Sequence, residues 1–198
     1  MFNIMKNTLI LLLLITIGFT SCEGRKTQNQ ALSESIEEFK KTVNFETNVY
    51  IPESYMEREV DTLISNGYRV KIKTFTDMAN SVRFSKIKDT INYQTHYRNF
   101  KFEVSVTKDD KLIYSENFDK QKVNKVFNYS GNLVFGSDLS DFDKLAVLKS
   151  IQVNDDPSYT NMVVIDVLYT IPESDRSSSH RLFIDANGKS NIVQVEVN

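Results

Sequence analysis

The sequence predicts a mainly β protein, an antiparallel sandwich or partly closed barrel of about eight to ten strands with one helix N-terminal to it. Three observations carry that class. Aromatic and β-branched residues run through the chain (13 Phe and 9 Tyr) while Gly and Pro are sparse, at 6 and 3; this is the composition of packed strands and not of a disordered tether. Apolar residues alternate with a period of two over most of the length, and turn chemistry separates the runs. Helical spacing is clearest in one short stretch near the start. An α+β sheet with helices on one face is the alternative.

Taken in order, Ala31–Val43 carries the helical stripe, with Leu32, Ile36, Phe39 and Val43 on one face. Ser33 or Ser35 is the expected cap, and Ser35 with Glu38 fits a capping box. The polar face mixes signs, so the helix is expected to lie on the domain and not on a membrane surface. From Glu57 the period becomes two. A three-residue loop at Ser65-Asn66-Gly67 sets Ile64 against Tyr68, Thr62 against Val70 and Val60 against Ile72. The same register sets Asp61 opposite Lys71 and Glu59 opposite Lys73. A loop one residue shorter would bring Asp61 against Ile72, so apolar and charge matching select the same pairing, with Gly67 left-handed in a G1 bulge. Ser81–Lys88 is a weaker strand. Ile91–Tyr97 alternates on one phase and Phe100–Val106 on the other, so the slip at Arg98-Asn99 predicts a bulge or a corner between sheets. A three-residue loop at Lys108-Asp109-Asp110 is expected to pair Val106 with Leu112, Val104 with Tyr114 and Phe100 with Phe118. Asp119–Phe127 reads as a short helix, Leu133–Phe135 as a short strand and Asp138–Leu145 as a second short helix. Leu148–Val153 and Met162–Ile171 are strands, the latter apolar on both faces and therefore central. Ser174–Ser179 reads as a polar loop. Arg181–Asp185 and Ile192–Val197 close the chain as a hairpin over Ala186-Asn187-Gly188-Lys189.

The start of the chain has its own grammar. Lys6 precedes an apolar run from Leu9 to Phe19, followed by Thr20, Ser21 and Cys22. A positive n-region, a short apolar h-region and small residues at a cut are the layout of a secretory signal. The run falls short of the roughly 20 apolar residues that span a bilayer core. Cys22, the sole Cys, sits where cleavage would make it the N-terminus, which sets aside the bland reading of an incidental buried thiol. With Thr20-Ser21-Cys22 as a lipobox, the segment resembles the leader of bacterial lipoproteins, although Phe19 stands where Leu is commoner. That resemblance implies lipid attachment at Cys22 and a membrane partner reached through acyl chains. A single acyl chain anchors only marginally, and the family's several-chain modification makes the attachment durable. The whole pattern, with hairpin turns at Asn66-Gly67 and Asn187-Gly188, resembles small single-domain lipoproteins of uncharacterised function from Bacteroides-type bacteria. Glu23 stands where an Asp favours inner-membrane retention in many lipoproteins, and no acidic surface-export run follows. A lipid-anchored position on the outer membrane, facing the periplasm, is the expectation. Residues 1–21 are then the signal peptide, 22–30 the lipidated Cys with a flexible tether, and 31–198 one globular β-rich domain.

Little in that domain announces chemistry. With 24 basic and 26 acidic side chains the net charge is −2, no footprint for nucleic acid. Any internal disulfide is ruled out by the single Cys, and zinc held by Cys and His lacks ligands. No strained-turn Ser motif is present, and a thiol nucleophile is spent if Cys22 is acylated. His96, in Tyr93-x-x-His96-Tyr97, is expected to point away from the two tyrosines as a half-exposed strand residue. Asp185-x-Asn187 through Glu196 is similar to a calcium loop, but Gly188 falls at the wrong place and a hairpin turn is expected. Asp138, Asp141 and Asp143 read as acids at a helix start. No cofactor or metal is expected. The expected function is a non-catalytic binding or accessory module of the envelope. The alternatives are a hydrolase using a carboxylate pair, which needs two acids about 5–10 Å apart in one cleft, and a structural component acting through a long uncharged sheet edge.

Overall fold

A computed structural model of the chain describes residues 26–42, 45–88, 91–129 and 139–195. They fall into two compact units. The smaller holds helix α1, Gln28–Thr42. It begins three residues earlier than the stripe alone suggested, within the expected tether, because the capping box is Thr27 and Gln30. The Gln30 N–H donates to Thr27 Oγ1 (3.3 Å) and the Thr27 N–H to Gln30 Oε1 (3.0 Å), a reciprocal pair that satisfies two orphan donors. Leu32, Ile36 and Phe39 of its apolar stripe are exposed, and Val43 lies outside the described residues.

The larger unit, Glu46–Lys88 with Asn92–Asn198, is mainly β and built as two packed sheets, without a closed barrel. The first contains β1 (Phe45–Ile51), β2 (Glu57–Leu63), β3 (Tyr68–Lys88), β4 (Ile91–Lys108) and β5 (Lys111–Phe118). Its order is β1-β4-β3-β2, and β5 also pairs with β4. The second is a meander of β6 (Val147–Asn154), β7 (Met162–Thr170), β8 (Ser177–Asp185) and β9 (Ser190–Val195), in that order. Helices α2 (Lys120–Val126) and α3 (Phe142–Leu145) lie on the crossing between the sheets. Asp119 caps α2, taking the Lys122 N–H at 2.8 Å.

The β2–β3 register is the one the sequence selects: Val60 lies against Ile72, Asp61 against Lys71 and Thr62 against Val70, with Gly67 at φ +84°. The ion pairs, however, run one step diagonally, Arg69 to Asp61, Lys71 to Glu59 and Lys73 to Glu57, a reach that long side chains manage across a pleated pair. The β4–β5 hairpin departs from expectation. Asp109 and Asp110 both take positive φ (50° and 62°), so the loop has two residues and Lys108 pairs with Lys111. A bulge then places Val106 against Tyr114 and Phe102 against Phe118. Two Asp side chains tolerate the left-handed region, and the bulge returns Tyr114 and Phe118 to the buried face. The slip at Arg98-Asn99 is absorbed within one continuous strand, and β3 likewise runs unbroken through Ser81–Lys88. Strand β8 begins at Ser177, inside the expected polar loop. Leu133–Phe135 lies outside the described residues.

One apolar cluster joins the sheets: Tyr68, Val70, Phe102, Val104 and Val106 from the first, Val163, Ile165, Val167, Leu182 and Ile184 from the second, with Val123 and Phe142 from the helices. Each fully buried large apolar side chain contributes about 1.5–3 kcal/mol. As its two-sided apolar pattern predicts, β7 is central, and Val163, Val164 and Ile165 are all buried in succession.

Candidate functional site

An opening in the larger unit lies where the two sheets part. A cleft of about 540 Å³ is lined by Ile51, Pro52 and Met56 between β1 and β2, by Tyr97, Arg98 and Phe100 of β4, by Val147–Lys149 of β6 and by the turn after β7. A second stretch of about 370 Å³ runs on between Arg58 and Val60 of β2, Ile72 and Thr74 of β3, and Leu148–Gln152 of β6. Met56, Phe100, Leu148 and Lys149 line both stretches, so together they form one furrow with an apolar floor.

Its polar groups are few and mostly engaged. The Arg98 guanidinium donates to the carbonyls of Pro52 (3.1 Å) and Met78 (2.8 Å) and lies 4.5 Å over the Tyr50 ring. Tyr97 donates its hydroxyl to Glu173 at 3.2 Å, and burial, with that carboxylate beside it, raises the phenol above its ordinary value. Glu57 accepts from Tyr55 (2.6 Å) and pairs with Lys73 (3.0 Å), and these donors hold its carboxyl below the usual range. Lys149 and Arg58 are exposed and have no ion-pair partner among the described residues. Lys149 is also the extra residue of a bulge, since Leu148 pairs with Tyr169 and Ser150 with Leu168. Bulges re-aim a side chain out of the alternation. Each stretch of the furrow contains a single carboxylate, Glu173 in one and Glu57 in the other.

A separate polar depression of about 270 Å³ is lined by Asp77, Asn80, Asn99, Lys101, Asp119, Lys120 and Gln121. Its two acids are already engaged: Asp119 caps α2, while Asp77 takes the Ala79 N–H (3.1 Å), Asn80 Nδ2 (2.9 Å) and Lys101 Nζ (3.3 Å). Burial pushes the Asp77 carboxyl up, but these three donors outweigh it and the net shift is downward. Lys120 donates to the carbonyls of Phe142 and Ala146, and burial lowers its amine to about 8.

The residues singled out from sequence do not converge. Cys22, the lipid-attachment candidate, lies outside the described residues, as do Asp138 and Glu196. His96 is half-buried on β4, stacked on Tyr50 at 4.6 Å with Nε2 at 2.8 Å from Asn48 Oδ1. Tyr97 points elsewhere, edge-on to Phe84. His180 is buried among aromatics on β8. Asp185 Oδ1 accepts the N–H groups of Asn187 and Lys189, both at 2.9 Å, which makes 185–189 a hairpin turn. Asp141 sits at φ +61° ahead of α3 without a capping bond, and Asp143 lies in that helix's first turn. Among the described residues no group of three or more His, Cys, Asp or Glu side chains is placed to hold a metal. No helix there is long and apolar enough to cross a membrane. Sequence reasoning missed the furrow and strand β1. One signal for it was present: the apolar phase breaks between Leu148 and Ile151, where the bulge falls. No protein-family model matches this chain, and no curated protein is significantly similar to it.

Proposed function

We propose that the protein is a lipid-anchored lipoprotein of the bacterial envelope, attached through Cys22 to the outer membrane and facing the periplasm, and that its β domain is a non-catalytic binding module. The observation that carries the binding reading is the furrow between the sheets. It is open and apolar-floored, with few polar groups at its margin, the usual character of a small-molecule site. The furrow's two carboxylates stand in different stretches and are engaged, Glu173 by the Tyr97 hydroxyl and Glu57 by Tyr55 and Lys73, whereas glycoside hydrolysis works through a pair flanking one bond. The lipobox at Thr20-Ser21-Cys22 supports the anchor.

Replacing Cys22 with Ser tests the anchor: the protein is expected to leave the membrane fraction and lose acyl label, and unchanged fractionation and labelling would refute it. Native mass spectrometry of the protein taken from envelopes tests the module. A bound small molecule is expected on the acylated chain and is lost in Leu148→Asp. A bare chain under all conditions would remove the binding reading.

A further inference from the structure

We infer that the furrow takes a long-chain carboxylic acid, its carboxylate held by Lys149 and Arg58 and its chain laid over Met56, Phe100 and Leu148. The inference rests on the binding-module reading and names the ligand class for that site.

The charge pattern of β2 is the first argument. Alternation along a strand sends successive side chains to opposite faces. Glu57, Glu59 and Asp61 therefore share one face, where each is paired with a cation of β3. Arg58 and Val60 share the other, and both line the furrow, where Glu57, paired with Lys73, also reaches the margin. Arg58 thus stands apart from the ladder that neutralises every other charge on its hairpin arm. On the facing edge, the bulge in β6 delivers Lys149 to both stretches of the furrow. Arg98 adds a third positive charge, matched by backbone carbonyls and a ring and not by a carboxylate. Of the two acids, Glu57 is already ion-paired, so the furrow has an excess of positive charge over an apolar floor.

That combination selects an amphiphile with an anionic head. A guanidinium presents a planar fork that matches a carboxylate in bidentate fashion, and an ammonium adds a compact second charge. Met56, Phe100 and Leu148 carry the apolar floor through both stretches, which suits one acyl chain. Met56, exposed at the junction of the two stretches, is unbranched and adapts to a flexible chain. Stretches of about 540 and 370 Å³ fall within the range that small-molecule sites occupy.

The test uses membranes carrying the full chain, with a palmitic acid analogue bearing a mid-chain diazirine and an alkyne tag. After illumination, adducts are expected on peptides spanning 56–60 and 148–152. Palmitate should compete; its methyl ester and hexadecylamine should not. The double variant R58E/K149E should lower adduct yield ~10-fold while its thermal unfolding stays unchanged, since both side chains are exposed. Arg58→Gln with Lys149→Gln gives a smaller loss in the same direction. Equal competition by the methyl ester, adducts confined to other segments, or an undiminished yield in R58E/K149E would overturn the inference. The anchor is read separately in the same digest, as a light-independent acyl mass on the Cys22 peptide. If native mass spectrometry instead finds a neutral or cationic ligand, the module stands and the carboxylic acid falls.

Discussion

Acidification should unfold this domain earlier than its carboxylates alone require, and His180 is the reason. Its side chain is 1 % exposed, stacked on Phe127 at 4.2 Å and met edge-on by Tyr129 at 5.3 Å. Nδ1 lies 3.4 Å from the Tyr129 hydroxyl and 3.5 Å from Ser178 Oγ, and Nε2 has no hydrogen-bond partner. Charging the ring there removes a cation from water, so burial lowers its pKa from 6.5 to about 4, with the Phe127 backbone restoring a little. Since the folded value lies below the unfolded one, His180 costs nothing above pH 6.5. Between 6.5 and about 4 the unfolded chain binds a proton that the folded chain refuses, and stability falls. Below that window both states are charged and the loss levels off. A shift of this size corresponds to about 3 kcal/mol, a large part of a domain's stability. The carboxylates held low, Asp77 among them, stabilise above the ordinary carboxylate range and lose that contribution only at and below it, so the histidine window is separable. Urea midpoints from just above neutrality down to about pH 4.5, taken for the native chain and for His180→Phe, isolate the effect. The native midpoint should fall steeply through the window while the variant, which keeps the stack and cannot titrate, stays nearly level. Parallel curves, or a His180 resonance titrating near its ordinary value, would refute the reasoning.

Other expectations concern backbone and core. Gly67 and Gly188 both take positive φ (84° and 77°), but a Cβ at Gly67 meets nothing within 4 Å, while one at Gly188 would lie 1.9 Å from the Ile113 carbonyl oxygen. Gly67→Ala should therefore cost about 1–2 kcal/mol of left-handed strain, and Gly188→Ala that strain plus about 1–3 kcal/mol of overpacking against backbone; equal losses in chemical unfolding would contradict the contact. Phe102→Ala removes a ring that is 1 % exposed and stacked on Phe118 at 4.6 Å, and should cost about 3–5 kcal/mol by calorimetry. A smaller loss would mean that the stack does not form.

How far the sequence could be read depended on whether a feature was local. The β2–β3 hairpin was legible to the residue, because Asn66-Gly67, the apolar alternation and the facing charges all demanded one register. The β4–β5 hairpin was misread by pairing strands on apolar phase alone. Asp109 and Asp110 accept a tighter turn than their lack of glycine suggested, and a bulge repaired the phase. Strand β1 escaped notice although FETNVYI alternates in part, with Phe45, Val49 and Ile51 on one phase and Glu46 and Asn48 on the other; its place is set by pairing with β4, a partner distant in the chain. His180 follows three serines and carries no local signal of burial. Its burial comes from Phe127 and Tyr129 on the far side of the crossing, which no local pattern reveals. The furrow was the least legible feature, since its walls come from six strands, β1 to β4 with β6 and β7, and the turn after β7.

The furrow's existence nevertheless follows from choices that the sequence makes openly. Strands β2 and β6 are edges of their sheets, and a fully closed barrel would require them to pair. Edge strands resist pairing when they carry charge or a bulge. β2 carries Glu57, Arg58, Glu59 and Asp61 in EREVDTL, and β6 carries the bulge at Lys149. Both devices keep the sheets apart on this side, so the apolar residues behind them, Phe100 and Leu148 among them, line an open furrow instead of a sealed core. The groups that block closure, Arg58 and Lys149, are also the unpaired cations at its margin. If the devices are what hold the sheets open, removing them together by deleting the bulged Lys149 and replacing Glu57, Arg58 and Glu59 with Thr should draw β2 toward β6. Amide exchange along β6 would then slow and fatty-acid labelling would fall with it. Exchange that stays as fast as in the native chain would show that the sheets part for another reason.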